Sequence, residues 1–187
     1  MKSQTSFLKC KPLLILSRLT NFSEALIDDP DFPEKQLAAS VTSKVFYYLE
    51  AYEDSLQFAL DAGDYFDIRS SQKSKYVDTL LHCCVDSYIE QRQAVHDKKD
   101  PEAQVNPKME AVVDKLFERC FEDGQYGQAI GLALESRRLD KLRESIEKSG
   151  KLEEKLAESF ELAQNVIKSK DFRNEVMRLL LAIYETR

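Results

Sequence analysis

The strongest candidate for chemistry in this sequence is the run His82-Cys83-Cys84, because imidazole and thiolate are ligands that zinc prefers. A zinc site needs four convergent ligands, and the chain has neither a second cluster of this kind nor a C-x-x-C spacing. Adjacent cysteines on a helix also point about 100° apart. We therefore expect no metal, and we interpret the cysteines as ordinary buried thiols.

Glycine patterns come near to two kinds of phosphate-binding loop. A P-loop ending at Gly150-Lys151 would need a glycine and a hydroxyl residue where the sequence has Ser145 and Leu152. A second set has the wrong spacing for a dinucleotide-binding turn and consists of Gly124, Gly127 and Gly131. Neither pattern predicts a nucleotide cofactor.

Acid-base catalysis would need titratable groups that a scaffold holds together. The chain has two histidines, His82 and His96, and the second falls in a predicted loop. The carboxylate pairs are typical of solvated helix faces, and they are Glu53-Asp54 and Glu153-Glu154. We therefore predict a protein that is not an enzyme, with no catalytic residue, no cofactor and no small-molecule substrate.

A basic cluster follows residue 136 and is interleaved with Asp140 and Glu144. Its members are Arg137, Arg138, Lys141 and Arg143. The interleaved acids favour an acidic protein partner or a surface ion-pair network over phosphate. The formal net charge of the chain is -6, so nucleic acid is not expected as a partner.

The apolar runs are too short for a membrane segment. The longest, 13–16 and 179–183, fall well below the roughly 20 residues that span a bilayer. Lys9, Lys11 and Pro12 interrupt the region where a secretory signal would need continuous apolar residues. We expect no membrane partner and a location in the cytoplasm and nucleus.

Helical periodicity runs through most of the chain, which contains only 5 Gly and 5 Pro to mark turns. The first clear apolar stripe comprises Leu37, Val41, Val45, Tyr48 and Leu49. The predicted helices cover about 34–51, 52–62, 74–91, 109–120, 126–136, 139–147, 152–167 and 171–184, with Asp171 as the cap of the last. The fold class is therefore predicted to be all-α.

An internal repeat relates the two halves of the sequence. Residues Tyr52 to Asp61 align with Tyr126 to Glu135 at an offset of about 74, and Ala59 then falls on Ala133. The preceding helices align at an offset of about 71, which places Val41 on Val112. Such repeats are typical of an α-solenoid of antiparallel helix pairs, tetratricopeptide-like or HEAT-like, whose usual function is to hold other proteins.

Domain organisation follows from where periodicity fails. Residues 93–106 are polar and aperiodic, which predicts a flexible loop. Residues 1–30 are predicted to form an amino-terminal helical segment interrupted at Pro12 and Pro30. The solenoid arm is predicted over 31–187, with its last helix carrying a second apolar side at Leu181.

Three strings of the sequence are specific rather than generic helix. They are ASVTSKVFYYLEAYEDSLQFALDAGD from Ala39, FERCFEDGQYGQAIGLALESRRLD from Phe117, and DFRNEVMRLLLAIY from Asp171. Together they closely resemble the amino-terminal region of the large scaffold subunits in the base of the proteasome regulatory particle. The resemblance extends from about Asp31 to the end of the chain, whereas the residues before about Ile27 do not match what the family leads us to expect.

The resemblance implies the amino-terminal arm of a proteasome/cyclosome-repeat scaffold, without catalytic activity, whose partners are other subunits of the regulatory particle. It implies a role in organising base and lid subunits for ATP-dependent degradation of ubiquitinated proteins. The residues alone leave two other hypotheses open: a tetratricopeptide-type adaptor that binds peptide segments of partner proteins, and a stand-alone regulatory domain of an enzyme. A basic peptide groove would favour that adaptor.

Overall fold

A computed structural model describes residues 25–27, 32–68, 74–97 and 104–186 of the chain. These residues form helices and turns, and no strand occurs among them. The chain divides into two compact units, one ending at Cys83 and the other running from Cys84 to Arg187. The boundary falls within a helix that contributes residues to both units.

The first unit is built on a helical hairpin. Helix α1 spans Lys35–Tyr48 and packs along α2, Tyr52–Asp61. The ring of Phe46 stacks on that of Phe58 across the hairpin, with centroids 5.3 Å apart. A single 3-10 turn, Gly63–Tyr65, follows α2.

Helix α3, Lys75–His96, contributes residues to both units. Five further helices complete the second unit: α4 Pro107–Glu122, α5 Tyr126–Glu135, α6 Leu139–Lys148, α7 Leu152–Val166 and α8 Lys170–Glu185. From α4 to α8, each helix packs on the one that follows it in sequence, and α7 also packs on α5. The predicted all-α fold of paired helices, an α-solenoid, is confirmed.

Three helices end in the same type of turn. In this Schellman turn the residue after the helix adopts a left-handed conformation, and the next N–H donates back to the last turn. The left-handed residues are Glu50, Gly124 and Arg137, with φ between 59° and 68°. The returning bonds are Ala51 N to Phe46 O, Gln125 N to Cys120 O and Arg138 N to Ala133 O.

These turns give the correct alignment of the repeat. The turn at Glu50 lies 74 residues before the turn at Gly124, so one offset relates both helices of each hairpin. Ala39 and Ser43 of α1 then correspond to Val113 and Phe117 of α4, and all four are buried. The predicted offset of about 71 for the first helices is wrong. It matched apolar side chains, whereas the inward face of α1 carries small and hydroxyl residues.

The prediction that the apolar stripe of α1 forms its inward face is wrong for the same reason. Leu37, Val41 and Tyr48 are exposed by 43%, 50% and 80%, and the buried residues of the helix are Ala39, Ser40, Thr42 and Ser43. Ser43 Oγ lies 2.6 Å from the Tyr76 hydroxyl and donates to the Ser55 carbonyl at 2.6 Å, while Ser55 Oγ donates to the Ser43 carbonyl. Because these hydroxyls satisfy one another, the helix can bury a polar face against α2.

Two helix ends differ from prediction. Helix α3 continues to His96, so residues 93–96 are helical and do not belong to the predicted loop. Asn106 caps α4, and residues 98–103 lie outside the described residues, as does most of the segment 1–30. The cap of α8 is Ser169, whose hydroxyl accepts from Phe172 N, and not Asp171.

Candidate protein-binding surface

The residues that the sequence offers as candidate metal ligands are separated in the structure. His82 is exposed on α3, while Cys84, two residues further along and on the opposite side of the same helix, is fully buried. Among the described residues, no group of three or more His, Cys, Asp or Glu side chains could hold a metal ion. Cys120 is buried as well, and burial raises the pKa of its thiol. Cys10 lies outside the described residues.

The glycines have local structural roles. Gly124 and Gly150 occupy left-handed positions after α4 and α6. A Cβ at Gly127 of α5 would lie 2.8 Å from Glu158 Oε1, the end of a flexible side chain on α7. Along the described residues, none of the helices is both long and apolar enough to cross a lipid bilayer.

The basic cluster divides into buried and exposed members. Arg137 and Arg138 are each 8% exposed, so they are not surface residues available to a large acidic partner. Lys141 and Lys148 both donate hydrogen bonds to the carboxylate of Glu144, at 2.9 and 2.6 Å. These hydrogen bonds lower the pKa of the Glu144 carboxyl. Of the two predicted roles for the cluster, the structure shows an ion-pair network.

Arg138 is the centre of a buried network in the second unit. Its Nη2 donates to Asp140 Oδ2 at 2.7 Å and its Nε to Oδ1 at 2.9 Å, a bidentate arrangement. Its Nη1 donates to the Tyr88 hydroxyl at 2.9 Å and to Glu110 Oε1 at 3.2 Å. Asp114 Oδ1 lies 3.2 Å from Nη1 but lacks hydrogen-bond alignment. The network therefore links α3, α4 and the start of α6.

Electrostatics in this network favour the charged pair. The bonds to Asp140 raise the pKa of the Arg138 guanidinium despite its burial, and they lower the pKa of the Asp140 carboxyl. Burial raises the pKa of Tyr88, so its hydroxyl stays neutral and bonds to Arg138. Sequence reasoning missed this role, because an i, i+2 pair such as Arg138 and Asp140 looks like ordinary surface charge.

Arg137 lies at a neighbouring cleft. Its guanidinium carbon is 4.4 Å from the centre of the Phe172 ring, a cation-π contact, and Nη2 is 3.8 Å from Asp97 Oδ2. Burial lowers the pKa of this arginine. His96 bridges Asp97 and Glu175, at 3.4 and 3.1 Å. A cavity of about 520 Å³ is bordered by Ile89, Gln93, Asp97, Glu135, Arg137, Val166, Lys168 and Ser169. Opposite charges face each other in this cleft, but the buried Nε of Arg137 has no hydrogen-bond partner among the described residues.

An apolar groove between α7 and α8 is the surface with the clearest capacity to bind. It encloses about 300 Å³ and is lined by Leu156, Phe160, Met177, Leu180, Leu181 and Tyr184. The exposed fractions of Phe160, Leu181 and Tyr184 are 45%, 60% and 58%. The predicted second apolar side at Leu181 is confirmed. Phe160 is exposed because α8 covers only part of α7.

Helices that pack in adjacent pairs and expose an apolar groove define a helical-repeat protein of the α-solenoid class. A model of the family described as 26S proteasome subunit RPN2, N-terminal domain, matches residues 16–187. This chain therefore belongs to the RPN2 amino-terminal-domain family. The match begins at residue 16, so the expectation that the sequence before about Ile27 departs from the family is wrong for residues 16–26.

Curated relatives agree with this assignment. The chain is 39% identical over 161 residues to the 26S proteasome non-ATPase regulatory subunit 1 of Drosophila melanogaster, covering 86% of this chain and 16% of that protein. It is 38% identical over 164 residues to homolog B of that subunit in Arabidopsis thaliana, covering 87% and 16%. The 26S proteasome regulatory subunit rpn2 of Schizosaccharomyces pombe is 35% identical over 164 residues, again covering 87% and 16%. The chain thus spans about a sixth of the length of these relatives.

Proposed function

We propose that this chain is a non-catalytic scaffold element of the proteasome regulatory particle. In this role it binds other regulatory-particle subunits and helps to organise base and lid for ATP-dependent degradation of ubiquitinated proteins. The observation that carries the proposal is the family match over residues 16–187. Its partners are proteins, and we propose that it acts in the cytoplasm and nucleus without cofactor, nucleic acid, membrane or small-molecule substrate.

The described surfaces support a binding role. The groove between α7 and α8 offers exposed apolar side chains at Phe160, Leu181 and Tyr184, which is the composition that protein interfaces favour. Helices that pack as a repeat present side chains along their outer faces rather than in a deep enclosed site. The buried Arg138 network keeps three of these helices in a fixed arrangement.

The groove gives less support to a tetratricopeptide-type adaptor. Such an adaptor would hold a peptide tail in a groove with basic side chains. The residues that line the groove of α7 and α8 are apolar or aromatic. The two buried arginines, Arg137 and Arg138, instead form ion pairs within the chain.

Affinity purification tests the proposal. The tagged full chain is expressed in cells at low level, and co-purifying proteins are identified by mass spectrometry. We expect regulatory-particle subunits at stoichiometric levels. Arg138→Ala should destabilise the arm and lose the co-purifying subunits. The matched control, Arg143→Ala, changes an exposed position and should retain these subunits. Purification of the folded chain without any proteasome subunit would contradict the proposal.

A further inference from the structure

Arg137 is a buried arginine whose hydrogen-bond donors are unused. Its side chain is 7% exposed, yet the guanidinium donates no hydrogen bond to any described residue. The 3.8 Å separation from Asp97 is beyond hydrogen-bond distance, and the contact with the Phe172 ring satisfies no N–H group. Because withdrawing unsatisfied polar groups from water costs free energy, an acceptor brought to Arg137 would recover part of that cost.

The adjacent arginine shows what Arg137 lacks. Arg138 is equally buried, but its guanidinium donates to both carboxylate oxygens of Asp140 and to the Tyr88 hydroxyl. Such a bidentate arrangement is the strongest way in which a guanidinium pairs with a carboxylate. The same turn of the chain therefore holds one arginine with its acceptors and one without.

The cavity beside Arg137 has further positive charge on its border. Lys168 lies there, is exposed, and makes no ion pair or side-chain hydrogen bond among the described residues. Ser169, also on the border, caps α8, so the partial positive charge of that helix amino terminus falls at the same place. The one acid in the first turn of α8, Asp171, is exposed and is not among the residues that border the cavity. Three positive features from two parts of the chain therefore meet at this cavity.

The acids on the border decide which anion fits. Asp97 and Glu135 equal Arg137 and Lys168 in number, so the positive bias of the cavity is small. A small bias favours an anion with one negative charge over a phosphate, which carries nearly two. A carboxylate has one charge and matches the fork of the guanidinium.

The apolar part of the border indicates what should carry the carboxylate. Ile89 and Val166 lie on the border of the cavity, whose volume is about 520 Å³. Their side chains can contact methylene groups that lead to a charged end. A glutamate side chain combines such methylene groups with a single carboxylate.

We propose that this cavity receives a glutamate side chain of a partner protein, whose carboxylate accepts hydrogen bonds from Arg137. Lys168 then lies near the same carboxylate, and Ile89 and Val166 contact its methylene groups. A broad acidic surface cannot reach a buried arginine, but one protruding side chain can enter the cavity. The inference rests on the proposed function for the partner being a protein, and it adds the chemistry by which that partner is recognised.

A peptide titration of the full chain tests the proposal. The probes are acetyl-Ala-Glu-Ala-amide and its uncharged counterpart acetyl-Ala-Gln-Ala-amide, each added to ¹⁵N-labelled protein up to its solubility limit. Nuclear magnetic resonance follows the side-chain Nε–H signal of Arg137 and the backbone amide of Ser169. We expect saturable shifts of both signals with the glutamate peptide and a dissociation constant at least tenfold higher for the glutamine peptide, because only a carboxylate forms charge-assisted bonds.

Three variants test the charges separately. Arg137→Gln should raise the dissociation constant of the glutamate peptide at least tenfold. Lys168→Gln should raise it about two- to fivefold, and Glu135→Gln should lower it by a similar factor, because both positions are exposed and their charges are screened. The control Lys115→Gln, at an exposed position of α4 away from the cavity, should bind like the natural chain. Circular dichroism establishes that each variant is folded.

Several results would overturn the proposal. These are equal affinity for the two peptides, no saturable binding of the glutamate peptide, an Arg137 Nε–H signal that does not move, or changes of the same sign in Lys168→Gln and Glu135→Gln. The titration needs no proteasome subunit, so its failure is separate from that of the proposed function. If regulatory-particle subunits still co-purify with the chain, only the glutamate site is excluded.

Discussion

Removing the buried guanidinium of Arg138 should destabilise the second unit more than removing an exposed charge would. In Arg138→Ala, the Tyr88 hydroxyl loses its 2.9 Å donor in a fully buried position, and the carboxylates of Glu110, Asp114 and Asp140 lose their shared cation. Breaking a fully buried ion pair costs about 3–5 kcal/mol. The side chains of Asp114 and Asp140 are 40% and 60% exposed, so water solvates part of the remaining charge.

We therefore expect a loss of about 2–4 kcal/mol in the free energy of unfolding at pH 7. Urea denaturation followed by circular dichroism measures it, with an unchanged dependence on denaturant as the sign that the folded state is intact. The matched control is Arg143→Ala. That guanidinium is 46% exposed and 3.9 Å from Glu147, so its removal should change stability by no more than about 0.5 kcal/mol.

The pH dependence gives a second test of the same reasoning. The pKa of the Asp140 carboxyl is lower in the folded protein because Arg138 donates to it. The natural chain therefore gains this stabilisation fully above the ordinary carboxyl range, near pH 4, and loses it as pH falls through the lowered pKa. In Arg138→Ala, the same fall in pH neutralises carboxylates that repel one another. The stability difference between the two proteins should shrink below about pH 4. A loss no larger than that of Arg143→Ala, or a difference that is the same at pH 7 and at low pH, would refute a stabilising role for the network.

The remaining predictions concern packing, a strained turn and the loop. Ala59→Leu and Ala133→Leu should each lower stability by about 1–3 kcal/mol, because both alanines are 1% exposed and a larger side chain would overpack the hairpins; unchanged melting of both variants would show that these sites have room. Glu50→Gly should raise the free energy of unfolding by about 0.5–1 kcal/mol, because glycine adopts a φ of 61° without strain. The control Glu90→Gly, at an exposed position within α3, should lower it by about 1 kcal/mol. If both variants shift the melting temperature in the same direction, the turn at Glu50 is not strained. Limited proteolysis should cut first within 98–106, which the sequence predicts to be a loop, and a first cut inside α4 would contradict that prediction.

Local periodicity was enough to place the helices. The spacing of apolar residues and the glycines after α2, α4 and α6 gave each boundary to within a few residues, except at the end of α3. A helix forms from bonds between residues four apart, so its position is recorded in nearby sequence. The local pattern also aligned Ala59 with Ala133, both of which are buried, and placed Leu181 on a second apolar side of α8.

Only the tertiary structure decided which face of a helix lies inward. In α1 the apolar side chains of Leu37 and Val41 point outward, because Ser43 is paired with Ser55 and Tyr76, partners 12 and 33 residues away. Arg138 likewise became a buried centre through Tyr88, 50 residues away in the chain. The free energy of burying a polar group depends on whether the folded protein places a hydrogen-bond partner beside it. Neither composition nor local spacing shows whether a residue far along the chain will be that partner.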